Sequence, residues 1–95
     1  MIRKLVIHCN KNYLVELNKI IMSNNIANQI KDRNISISVK DGKNKMELYG
    51  YDQELKYTTE TISKGEFHKI FSIIDTMPIR QMEMMSFHAA DNNII

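Results

Sequence analysis

The sequence predicts a two-layer α/β sandwich of order β-α-β-β-β-α-β, an α+β fold with a mostly antiparallel sheet and two helices on one face. Three observations lead there. Short runs with strand patterning recur at positions 3–9, 35–40 and 46–51, the first two rich in β-branched residues and the third alternating Met46 and Leu48 with polar or aromatic residues. Two longer stretches, 13–21 and 67–77, repeat apolar residues at helical spacing. And 95 residues with 43% hydrophobic and 25% charged side chains suit one ordinary globular core and cannot divide it in two. The expected division is a single domain over 1–88 and a tail over 89–95.

The first run, RKLVIHC, holds the continuous apolar triplet Leu5-Val6-Ile7 and reads as a central strand. Asn10 or Asn12 can then cap a helix, since an Asn side chain accepts from an otherwise unbonded backbone N–H in the first turn. Leu14, Leu17 and Ile21 supply its stripe, widened by Tyr13 and Ile20. Asn24-Asn25 is a natural stop, because Asn tolerates the left-handed conformation past a helix end. Residues 26–34 carry no clear pattern and read as a link.

ISISVK then alternates, with Ile35, Ile37 and Val39 on one side and Ser36, Ser38 and Lys40 on the other. Residues 41–44, DGKN, have the chemistry of a tight turn, and Met46 and Leu48 resume one face. The expectation is a hairpin. DQE turns the chain again into LKYTTETI, a third meander strand rich in Thr, Tyr and Ile. Ser63-x-x-Glu66 forms a capping box in front of Phe67, Ile70, Phe71, Ile74 and Met77, so a second helix follows and Pro78 ends it. Residues 79–87 read as a last strand with Met82 and Met84 inward and Met85 and Phe87 outward. Each helix has one apolar stripe and each hairpin strand one apolar face, so both helices share one side of the sheet, in a ferredoxin-like plan elaborated by the meander.

Composition bounds the function. A net charge of +2, from 13 basic and 11 acidic residues, is too weak a field to imply nucleic acid or an anionic membrane by itself. A single cysteine and no signal-like N-terminus predict an intracellular, cytoplasmic protein, and no apolar run approaches the roughly 18–20 residues needed to cross a bilayer. Fifteen Ile, ten Asn and ten Lys against three each of Ala, Gly and Arg are what AT-rich codons supply, which suggests a bacterium, bacteriophage or mobile element.

Parity along the expected hairpin sends Tyr49 and Tyr51 to the face away from the helices. A row Ser36, Tyr49, Tyr57 would cross that face, with Lys40 and Lys45 further along and Lys43 at the hairpin tip. The same parity would bury Lys56 and Glu60, whose desolvation cost argues for a bulge or a slip in the third strand, either of which turns Tyr57 inward. Exposed rings beside lysines can stack unpaired bases at roughly 1–3 kcal/mol each while the ammonium groups meet phosphates. In this geometry the face resembles that of RNA-recognition domains, although their consensus aromatic-and-glycine motif is absent. Tyr pairs also simply stabilise sheets, by about 0.2–1 kcal/mol.

Catalysis has no support in the sequence. His8 and Cys9 are adjacent and point to opposite faces, so they cannot work as base and nucleophile, and Cys9 shares the parity of Leu5 and Ile7. His8, His68 and His88 lack metal-ligand spacing, and no Gly-rich phosphate loop or paired carboxylate occurs, so neither metal nor cofactor is expected. The expectation is a small non-catalytic binding or regulatory protein. It would act on a protein partner through Tyr49, Tyr51, Tyr57, Lys40, Lys43, Lys45, Met85 and Phe87. It would suit a phage or mobile-element inhibitor of host machinery, including a defence system. The rivals are a single-stranded nucleic-acid binder using the same tyrosines and lysines, and a toxin-like nuclease centred on His8 and His68. A homodimer is a further candidate, and a membrane partner is not expected.

Overall fold

The computed structural model describes the backbone of residues 1–23 and 25–92 and the side chains of 1–23 and 25–85. The elements are β1 (Arg3–His8), a 3-10 turn (Lys11–Tyr13), α1 (Leu14–Ile21), α2 (Ile26–Asp32), β2 (Ile35–Lys40), β3 (Lys45–Tyr49), β4 (Leu55–Thr59), α3 (Lys64–Asp75) and α4 (Pro78–Asn92). They form an α+β fold with one four-stranded mixed sheet, in strand order β2-β1-β3-β4.

The expected hairpin does not form. β1 lies between β2 and β3, parallel to β2 and antiparallel to β3. Two helices connect β1 to β2, which is the kind of crossover a parallel pair needs. Residues 41–44 then pass across the end of β1 rather than folding β3 back onto β2. Gly42 sits in this crossing at φ 152°, a backbone conformation that glycine adopts and side-chain-bearing residues resist. Parity survives the change of neighbour: Leu5, Ile7, Met46 and Leu48 are fully buried on one side, as expected.

Helix boundaries follow local chemistry. Asn10 Oδ1 accepts from Tyr13 N–H at 3.2 Å and opens the first helical turn. Leu17 and Ile20 reach the core, with Tyr13 and Ile21 beside them, while Leu14 stands 43% exposed, outside the stripe assigned to it. Asn25 takes the left-handed conformation, φ 60°, and its neighbour Asn24 lies outside the described residues. The supposed link 26–34 contains α2, which buries Ile26 and Ile30 four residues apart on one face. At α3, Ser63 Oγ accepts from Glu66 N–H at 3.2 Å, half of the expected capping box. The Glu66 carboxylate turns instead to the Tyr57 hydroxyl, which donates to it at 2.8 Å.

Residues 79–87 are helical, not a strand. Pro78 ends nothing but the junction: it occupies the first position of α4, where its missing N–H costs no bond and its fixed φ suits the helix. Arg80, Glu83 and Met84, at i, i+3 and i+4, turn toward the body, whereas Met82 is 64% exposed rather than inward. Met, Glu, Gln and Arg are good helix formers, which here outweighs the alternation of Met82 and Met84. α4 carries residues 89–92 of the expected tail, and 93–95 lie outside the described residues. Among the described residues no strand follows α3, so the order departs from a ferredoxin-like one.

The core is one cluster of sheet residues with Leu17, Ile20, Ile26, Ile30, Phe67, Ile70, Phe71 and Ile74. Helices α1, α2 and α3 therefore cover one face of the sheet, and among the described residues none covers the other.

Candidate functional site

The open face is built by alternate residues of the four strands. Register sets Ser36, Lys4 and Tyr49 in one row, Ser38, Val6, Glu47 and Thr58 in the next, and Lys40, His8 and Lys45 in the third. With strands about 4.8 Å apart, each row brings its side chains within mutual reach. At the centre, His8 Nε2 and Glu47 Oε1 are 2.8 Å apart. The Tyr49 hydroxyl donates to Glu47 Oε2 at 3.3 Å, and Lys45 Nζ lies 3.7 Å from the same oxygen. The hydrogen bond from His8, aided by the Lys45 charge, holds the Glu47 carboxyl below its usual range against the opposing pull of burial. Burial and the Glu47 charge push the Tyr49 phenol up, so it stays neutral at ordinary pH. Lys4, Lys40 and Lys45 are solvent-exposed around this pair, and Lys43 stands on the loop beside them. A shallow groove of 280 Å³ runs between Lys4, Val6, Lys40, Glu47 and Tyr49.

The structure thus brings together Tyr49, Lys40 and Lys45 on one face with Lys43 at its rim, and adds Lys4 and His8. It disperses Tyr57, Tyr51 and Met85. A register shift at Leu48/Tyr49 makes Lys56 an extra residue in β4, so Tyr57 pairs with Leu48 and turns inward against the core. The bulge keeps Lys56 in solvent, where Asp52 meets its ammonium at 2.7 Å, in line with the desolvation argument. Tyr51 leaves the face altogether. Its ring lies under the Arg3 guanidinium, 4.2 Å from ring centre to Cζ, and its hydroxyl donates to Glu83 Oε2 of α4 at 2.6 Å. Met85 is 69% exposed, but on α4 rather than beside the tyrosines, and the Phe87 side chain lies outside the described residues.

Tyr51 belongs to a second polar region that the sequence reading missed. All three arginines of the chain, Arg3, Arg33 and Arg80, are buried together. Arg3 Nη1 donates to Arg33 O at 2.6 Å and to Tyr51 Oη at 3.1 Å, and both its Nη atoms reach Glu83 Oε1 at 3.3 Å. Arg33 forks onto Asp75 through Nε at 3.0 Å and Nη2 at 2.8 Å, with its guanidinium over the Phe71 ring. Arg80 holds Asp32 Oδ2 at 2.6 Å and Asp75 Oδ1 at 3.3 Å. Burial pushes the Asp75 and Glu83 carboxyls up, but the arginine hydrogen bonds and charges at Asp75, and the Tyr51 hydrogen bond with the Arg3 and Arg80 charges at Glu83, outweigh it and hold both below the usual range. Three cations face three carboxylates, so the cluster neutralises itself and ties α4 to β1, α2 and α3. One sequence signal pointed to it: Arg3 shares the inward parity of Leu5 and Ile7. A cleft of 170 Å³ beside the cluster has mainly apolar walls, and its charged rim residues, Asp52 and Lys56, are paired with each other.

The residues weighed for catalysis lie apart. Cys9 is buried at 2% exposure in the core, while His8 is on the open face and engaged by Glu47. His68 is on α3 in the helical layer, edge-on to Phe71, so the two histidines of the nuclease reading occupy different sides of the sheet. Among the described residues no group of three His, Cys, Asp or Glu side chains could hold a metal ion, and no helix is long and apolar enough to cross a membrane. The arrangement can bind, by charge and by one aromatic ring. No known family, no curated protein and no solved structure matches this chain significantly.

Proposed function

We propose that this chain is a non-catalytic binding protein that docks an acidic protein surface on the open face of its sheet. The observation that carries the reading is the sorting of charge across the sheet. Every arginine is neutralised inside, while Lys4, Lys40, Lys43 and Lys45 gather around Glu47, with Glu60 beside Lys43 and Lys45, on the one face no described element covers. Lysines at such a surface steer an acidic partner and set its register more than they add raw affinity. The role we propose is regulatory: an inhibitor of host machinery, encoded by a phage or mobile element and acting in the cytoplasm, a context that suits the AT-rich composition.

A second reading, single-stranded nucleic acid, draws support from Tyr49 beside Lys4 and Lys40 in one groove. It ranks below the first because Tyr51 and Tyr57 face elsewhere. One stacking ring, at roughly 1–3 kcal/mol per base, replaces the expected three.

Retrieval from a nuclease-treated host lysate tests the choice. The wild type should retain one acidic protein, and the variant Lys4→Gln/Lys40→Gln/Lys45→Gln should lose it. Equal retention by both would reject the open face as the docking surface. Loss of all retained material on nuclease treatment, with oligonucleotide binding abolished by Tyr49→Ala, would favour nucleic acid instead.

A further inference from the structure

The two edges of the sheet are unlike. Each carries one lysine, Lys56 in β4 and Lys40 at the end of β2, but β4 is also bulged against β3, which discourages pairing with another strand. β2 has neither proline nor glycine, and its ladder with β1 runs unbroken from Arg3↔Ile35 to His8↔Lys40. Arg3 N–H donates to Asn34 O and Cys9 N–H to Lys40 O, each at 3.0 Å, which shows that the even-numbered residues of this strand direct their backbone groups at β1. The N–H and C=O groups of Ile35, Ile37 and Val39 therefore point away from the sheet, and among the described residues nothing pairs with them. On the helix side of this edge Ile37 is half-buried and Val39 is 46% exposed.

We propose that a second copy of this chain pairs here, β2 against β2, antiparallel about a two-fold axis at Ile37. The strand is nearly palindromic about that residue: Ile35 and Val39 flank it at two positions, Ser36 and Ser38 at one. Pairing on this axis sets Ile37 opposite Ile37, Ile35 opposite Val39 and Ser36 opposite Ser38. In an antiparallel ladder the residues that exchange two hydrogen bonds recur at every second position, and 35, 37 and 39 are the three with free groups. This register satisfies all of them. A slip of one residue sets free groups against used ones and mixes the two faces. A slip of two leaves one odd-numbered residue of each copy unpaired. The side chains agree with the backbone, since β-branched pairs meet on the helix side, serine hydroxyls meet on the open side, and Lys40 falls opposite Asn34 rather than another lysine. The interface is isologous, as a closed dimer requires. It joins two sheets into one of eight strands and sets two lysine faces side by side on the same surface.

Light scattering across a dilution series should give twice the protomer mass for the full chain. Val39→Lys, which adds an inward-pointing charge at an already exposed edge position, should give the protomer mass with an unchanged circular dichroism spectrum. Under mild oxidation Ile37→Cys should cross-link to itself on the two-fold axis, where paired Cα atoms lie about 5.5 Å apart, within the reach of a disulfide. Ser36→Cys, which meets Ser38 instead, should cross-link several-fold less. A protomer mass at every concentration overturns the proposal, as does a dimer that folded Val39→Lys leaves intact. Should Val39→Lys fail to fold, the cross-linking pair decides, and equal cross-linking at 36 and 37 is the contrary result.

Discussion

The arginine cluster beneath α4 and the lysine face across the sheet use the same charge for opposite ends. At the cluster, planar guanidinium groups fork onto carboxylates, stack on Tyr51 and Phe71, and are removed from water. On the open face, ammonium groups stay hydrated on flexible stems. Arg loses less freedom per hydrogen bond formed and is less strongly hydrated than Lys, which makes it the cheaper cation to bury. A chain with ten lysines and three arginines has spent every arginine on architecture. The comparison teaches that cations of this protein are informative about a partner only where they stay in water and outnumber their counter-charges.

Breaking the cluster should have the largest effect. Arg3→Ala leaves Glu83 and Tyr51 without their buried cation and the Arg33 carbonyl without its donor, and should cost about 3–5 kcal/mol in urea unfolding. A loss under about 1 kcal/mol would place the cluster among ornamental surface pairs.

Acid should come next. Asp75 and Glu83 bind their protons less tightly in the folded chain than their ordinary values of 3.8 and 4.5 imply. Their stabilisation is therefore complete above those values and is lost as pH falls through the lower folded ones. Melting temperature should fall below about pH 4.5, and Asp75→Asn should lower stability at neutral pH while making the acid limb shallower. An unchanged acid limb in that variant would mean other carboxyls govern it.

The tyrosines sharpen the same contrast on a smaller scale. Tyr57→Phe removes the hydroxyl that donates to Glu66 and should cost about 0.5–1.5 kcal/mol. Tyr49→Phe, on the open face, should change stability by less than about 0.5 kcal/mol. Equal costs would show that the inward and outward rings are not energetically distinct.

Much of this arrangement could be seen in the sequence, for physical reasons that also mark its limits. Period-two alternation fixed which side of β1, β2 and β3 is buried, because parity depends on the strand itself and not on its neighbour. Neighbours could not be read. The turn chemistry of 41–44 fits a hairpin equally well as a crossing over β1, so β2 was assigned the wrong partner while Lys40, Lys45 and Tyr49 still landed on the right face. Burial cost signalled the bulge at Lys56, and with it the inward turn of Tyr57. Tyr51 was lost because parity lapses at the turn beginning with Gly50, and its fate depends on Arg3 and Glu83, respectively 48 and 32 residues away in sequence. Residues 79–87 read as a strand but form a helix because short alternating methionine runs look alike in a strand and in a helix whose stripe faces a polar cluster.

The most direct test of the central claim is a nuclear magnetic resonance titration with the retained partner. Amide signals of Lys4, Val6, His8, Lys40, Lys45 and Tyr49 should shift, while the Nε–H signals of Arg3, Arg33 and Arg80 stay in place. Shifts concentrated on the arginines and α4, with the lysine face silent, would contradict the account.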